Sequence, residues 1–173
     1  MKRRALFLAT LALAGCAGPI VQDYASETPK LDLRSFFTGN LTAKGFFTDR
    51  SGRVVKRFTV SMNGSWEGDL GTLDEQFVYT DGTRQRRIWK LKALGDGRFS
   101  GTAGDVVGEA EGAVAGNAFR FVYTLALPVE GRVWDVKLDD WMFLMDERTV
   151  LNRSAMSKFG IHLGDVTLVI TKP

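Results

Sequence analysis

The sequence predicts an all-β domain, an antiparallel meander of about ten strands closed into a barrel and entered through one short helix. Three observations carry this prediction. Apolar and polar residues alternate with a period of two through most of the chain after residue 40. Turn signals built on Gly, Asp and Asn recur at short spacing between the alternating runs. No long amphipathic helical stretch is present to cover an open sheet, which leaves closure as the way to bury one face and abolish the edges.

The helix comes first, over Leu31–Thr38. Asp32 is suited to its N-cap, Leu33, Phe36 and Phe37 fall on one face, and Gly39 fits a stop. A first strand is expected over Leu41–Thr48, closed by the turn Asp49-Arg50-Ser51-Gly52. The clearest strand is Val54–Glu67: Phe58, Val60, Met62 and Trp66 share one face, and Arg57, Thr59, Ser61 and Asn63 the other. Leu73, Phe77 and Tyr79 mark one face of a third strand, and Asp81-Gly82 is a strong hairpin signal. Further strands are expected over Gln85–Leu94, Arg98–Ala103, Val107–Ala113, Ala118–Leu127, Arg132–Met145, Thr149–Met156 and Ile161–Thr171. The turns between them include Gly95-Asp96-Gly97, Gly116-Asn117, Glu130-Gly131 and Phe159-Gly160. This layout resembles the lipocalin-type, or calycin, barrels, a likeness that implies a fold and no activity.

Lys2-Arg3-Arg4 precedes the nine-residue apolar run Ala5–Leu13, far short of the ~20 residues that span a bilayer. Leu13-Ala14-Gly15-Cys16 follows, and the whole resembles a bacterial lipoprotein signal. The resemblance implies cleavage before Cys16, acylation of Cys16, and a periplasm-facing protein in the cell envelope, with Ala17 favouring the outer membrane. More than one acyl chain makes such attachment stable. The expected organisation is therefore a signal peptide over 1–15, a lipidated tether over 16–30 and one domain over 31–173.

Removing the signal changes the charge. The full chain has 23 basic and 20 acidic residues, and three of the basic ones lie in residues 1–15, leaving 20 of each. A neutral mature chain has no electrostatic case for nucleic acid. Cys16 is the only cysteine, so no intrachain disulfide can form. No cofactor or metal is expected, since His162 is the one histidine.

Several stretches carry a family resemblance: Gln85-Arg86-Arg87-Ile88-Trp89, Gly101-Thr102-Ala103, Asp105-Val106-Val107-Gly108, Gly116-Asn117-Ala118, Leu138-Asp139-Asp140-Trp141-Met142, Leu151-Asn152-Arg153 and Met156-Ser157-Lys158-Phe159-Gly160. Along nearly its whole mature length the chain resembles a family of bacterial lipoproteins known only as a domain of unknown function. Members are often encoded near enzymes that modify membrane fatty acyl chains, and the resemblance points toward lipid metabolism.

Each candidate site also has a plainer reading. Gly104, Gly108, Gly112 and Gly116 recur every fourth residue; on one strand they would form a small-residue face, either a cavity wall or a place for aromatic rings. Aromatics on apolar faces are core in most small barrels, but Trp66, Trp89, Phe121 and Trp134 are candidates to line a pocket. Arg84, Arg86, Lys90 and Lys92 share one face, either solvated or aimed at lipid phosphates. Arg87 falls on the opposite face, with Trp89 and Leu91. A charge there needs a carboxylate or a ligand anion, and Asp139 or Asp140 is the expected partner. Ser154 or Ser157 with His162 and Asp140 is the one conceivable catalytic triad, but no Gly-x-Ser-x-Gly elbow accompanies it. The function expected is binding of an apolar or amphipathic, lipid-like ligand at the membrane. The alternatives are a ligand-free envelope interaction protein and a lipid-modifying enzyme.

Overall fold

A computed structural model describes residues 18–129 and 131–173. Cys16 and the expected signal peptide lie outside the described residues, as does Glu130 of the Glu130-Gly131 turn.

Ten strands run in chain order: β1 Gly39–Asp49, β2 Val54–Glu67, β3 Leu70–Tyr79, β4 Arg84–Gly95, β5 Arg98–Thr102, β6 Ala110–Ala115, β7 Ala118–Val129, β8 Arg132–Asp146, β9 Thr149–Lys158 and β10 Ile161–Thr171. Each pairs antiparallel with its neighbours in sequence, and β10 pairs with β1 to close the barrel. The closing register sets Ala43 opposite Ile170, both pointing inward and both buried. On β2 the alternation is realised as expected: Phe58, Val60 and Met62 are buried while Thr59, Ser61 and Asn63 are exposed. Apolar residues thus face inward and polar ones outward, the reverse of a barrel that sits in lipid.

Turn chemistry sets the hairpins. Asp49 Oδ1 accepts from the backbone N–H of Ser51 (2.9 Å) and Arg53 (3.1 Å), and Gly52 takes a left-handed φ of 86°. Asp81 accepts from Thr83 N–H (3.0 Å) in the same manner. The sixth strand starts later than expected, at Ala110, because residues 103–109 form a separate connection.

The helix α1 is a single turn, Leu33–Phe36, shorter than the expected Leu31–Thr38. Asp32 caps it by accepting from Ser35 N–H (2.9 Å). The chain must reverse at once into β1, and so the helix cannot continue. Leu33, Phe36 and Phe37 are buried and close one end of the barrel. The carbonyl of Phe37 lies where a side chain on Gly64 would stand, so glycine at 64 lets the plug seat against β2.

Among the described residues, the segment before α1 is fastened to the barrel from Val21 onward. Val21 opens a 3₁₀ turn, Val21–Tyr24, and is 5% exposed. Tyr24 meets Phe143 edge-on at 5.1 Å and Trp141 at 5.7 Å, and Leu31 N–H donates to Gly116 O (2.8 Å). No helix among the described residues is long and apolar enough to cross a membrane.

Candidate functional site

Strands alternate in direction, so their connections collect at two ends. Helix α1 plugs one. The other carries the β1–β2, β3–β4, β7–β8 and β9–β10 turns and the 103–109 connection. Inside lies a cavity of about 160 Å³. Leu33 and Phe37 form its floor, and every strand except β5 and β6 contributes to its wall. Those two strands are short and glycine-bearing, and rings fill the space beside them. A Cβ on Gly112 would lie 2.7 Å from the rings of both Phe119 and Phe121. The glycine series is therefore a seat for aromatics at Gly112. Gly104 and Gly108 fall in the 103–109 connection, so no continuous strand face runs from 104 to 116.

The wall is mostly apolar but holds two polar groups of residues. In the first, Arg87 on β4 points inward beside Trp89. Its Nε and Nη2 donate to the Asp105 carboxylate at 2.9 and 2.7 Å. Gln85 Nε2 donates to Asp105 Oδ2 (3.1 Å), and Tyr79 OH donates to Gln85 Oε1 (2.8 Å). Backbone contacts pin the same connection to β7: Ala126 N–H donates to Asp105 O, Val107 N–H to Thr124 O, and Val106 bridges Leu125. Glu75 on β3 completes the group, its Oε2 3.9 Å from Arg87 Nη1.

In the second, Asp140 on β8 is 5% exposed. It accepts from Ser154 Oγ (2.7 Å), from Asn152 Nδ2 and from Tyr123 OH (3.5 Å). Asp139 turns outward and is paired with Arg120 (2.6 Å). The expected partnership of Arg87 with Asp139 or Asp140 is thus replaced by one with Asp105. The register explains the change: Asp140 sits opposite Phe121 on β7 and Ser154 on β9, while the connection after β5 brings Asp105, 18 residues along the chain, to Arg87 on β4.

Burial dominates the electrostatics. It pushes the Glu75 carboxyl up to about 7, opposed by Arg87 and reinforced by Asp140 and Asp105. It raises Asp140 too, against the hydrogen bonds from Asn152 and Ser154. Tyr123 is held well above the ordinary phenol range by the same desolvation. Burial works against the Arg87 charge, but Asp105 and Glu75 outweigh it and keep the guanidinium protonated.

Arg87, Trp89, Phe121 and Asp140 all line the cavity, with the Trp89 and Phe121 rings 5.2 Å apart. Trp66 and Trp134 do not. Both have inward parity but lie near strand ends. Trp66 covers Gly71, edge-on to Phe99 and under Arg34. Trp134 is 42% exposed beneath Lys158 Nζ. The candidate triad is not assembled: Ser154 bonds Asp140 without His162, while His162, half-exposed beside Asp165 (3.3 Å), stands opposite Ser157 in the register and has no contact with Asp140 among the described residues. The basic face of β4 is solvated, with Arg86 paired to Asp74 (2.7 Å).

Sequence reasoning missed Glu75, Asp105, Tyr123 and Asn152 as site residues. Glu75 had a signal, since it falls between Leu73 and Phe77 on the inward parity of β3. Asp105 had no periodic signal, because a loop carries no period, and only its place in the stretch Asp105-Val106-Val107-Gly108 marked it.

A family model described as "Protein of unknown function (DUF3833)" matches residues 10–172. No curated protein matches the chain.

Proposed function

Because the chain belongs to this family of unknown function, the barrel interior has to carry the functional reading, and we propose that the protein binds an apolar or amphipathic, lipid-like molecule inside the barrel while held to the envelope through Cys16. The observation that carries this is the cavity: about 160 Å³, walled mainly by apolar side chains and interrupted by Glu75, Arg87 and Asp140, with Asp105 paired to Arg87. Ligand sites have this composition, apolar surface with a few convergent polar groups that fix orientation. The lipoprotein-type N-terminus supports the reading: acylation of Cys16 would hold the domain at the outer membrane facing the periplasm, among acyl chains and lipid products.

The test is native mass spectrometry of the chain purified from a bacterial host, followed by titration of the lipid-free protein with a fluorescent fatty acyl probe. Ala43 lines the cavity and is buried, so Ala43→Phe is expected to lower probe binding by filling it. A protein that carries no lipid and takes up no probe defeats the proposal.

One observation favours the second reading, an envelope interaction protein. Phe159, 91% exposed, and Ile161 and Val133 stand unburied on the adjacent β9–β10 and β7–β8 hairpins. Specific cross-linking of Phe159→Cys to one protein, with an unliganded barrel, would support it.

A further inference from the structure

Within the ligand-binding reading above, the chemistry of the ligand's polar end follows from which cavity groups still lack a partner. Arg87 is the one cation that lines the cavity among the described residues. Two of its nitrogens are taken by the Asp105 carboxylate, and Nη1 faces Glu75 Oε2 at 3.9 Å. With Glu75 ionised, Arg87 therefore stands between two carboxylates and has no surplus positive charge for an incoming anion. The Asp140 oxygens are occupied by Ser154, Asn152 and Tyr123. Glu75 Oε2 differs from all of these: it is buried and accepts no hydrogen bond. A buried acceptor without a donor is costly.

We infer that the polar group received inside the barrel is an uncharged hydroxyl, donating to Glu75 Oε2 and accepting from Arg87 Nη1, and that a carboxylate or phosphate is refused. The separation of 3.9 Å suits this once the buried Glu75 carboxyl turns toward the cavity, since one oxygen can lie within ~2.8 Å of both atoms. It supplies the donor that Glu75 lacks and uses the one guanidinium nitrogen not engaged with Asp105. An anion at the same point would meet Glu75, with Asp105 and Asp140 behind it, in a site of low dielectric. The apolar wall above and below accommodates the rest of an aliphatic alcohol. The ligand class is therefore an amphiphile with a hydroxyl end, in contrast to a free fatty acid.

The inference is tested with 1-decanol and decanoate, matched in chain length, titrated calorimetrically into the purified chain at pH 8. Decanoate is then ionised, and so is most of Glu75. Wild-type protein is expected to bind decanol roughly tenfold more tightly than decanoate. Glu75→Gln, which removes the repelling charge, is expected to shrink that preference. Asp105→Asn, which releases Arg87, is expected to raise decanoate affinity and provides a second reading if Glu75→Gln fails to fold. Decanoate binding as tight as decanol in wild type overturns this inference and leaves the amphiphile reading standing, as does a preference unchanged in both variants. Binding of neither probe overturns both.

Discussion

Arg87 and Asp105 form a two-pronged ion pair, Nε at 2.9 Å and Nη2 at 2.7 Å from the carboxylate, that ties β4 to the 103–109 connection. Their side chains are 12% and 24% exposed, so the pair is largely shielded from water. Because β5 and β6 are short, the connection closes the wall between β4 and β7, and this pair anchors it.

Asp105→Ala is expected to destabilise the fold by about 2–3 kcal/mol, because it leaves a guanidinium inside without its main counter-ion. Urea denaturation measures the loss. Hydrogen exchange should also rise at Val107 and Ala126, whose N–H groups hold the connection to β7. Stability within ~0.5 kcal/mol of wild type would mean that water solvates Arg87 in place of Asp105.

Glu75 makes stability depend on pH in a definite direction. Its carboxyl titrates near 7 in the barrel, against 4.5 ordinarily. Between these values the folded protein holds a proton that the unfolded chain has released, so stability falls as pH rises from 4.5 to 7. The total is on the order of 3 kcal/mol. Arg87 on β4, Asp105 on the connection, Tyr123 on β7 and Asp140 on β8 face this group, and Asp140 titrates in the same sense. The comparison of Glu75→Gln with wild type isolates Glu75: the variant should gain stability relative to wild type at pH 8 and little at pH 4.5. An equal difference at both values would contradict this account.

Gly64→Ala is expected to cost about 2 kcal/mol, because its methyl would occupy the position of the Phe37 carbonyl. A backbone atom cannot swing aside as a side chain can, so the plug must shift. Faster exchange of the Phe36 and Phe37 amides, which bond Asp32 O and Leu33 O, would accompany the lower melting temperature. Gly112→Ala should be milder, since rings of Phe119 and Phe121 can rotate away. The reverse ranking would show that the plug is not seated as described.

Cys16→Ser is expected to move the protein from the membrane fraction to the soluble fraction and to abolish labelling by an alkyne palmitate analogue. Unchanged fractionation would remove Cys16 as the anchor.

Much of this molecule was legible without coordinates. A period of two, broken by Asp-Gly and Gly-rich turns, specified ten strands and the inward position of Arg87, Trp89 and Phe121, and left open which of Asp139 and Asp140 faces in. These are local properties, decided by alternation on a pleated chain and by the backbone freedom of turn residues. What only the tertiary structure decided was partnership. Asp105 reaches Arg87 because a connection folds across the wall, and Glu75, Tyr123 and Asn152 converge because closure brings β3, β7 and β9 around one space. Trp66 and Trp134 have the right parity and miss the cavity because strand ends extend past it. Periodicity states which face a residue is on; the closed barrel determines its height and what stands opposite, and on those the chemistry of the interior depends.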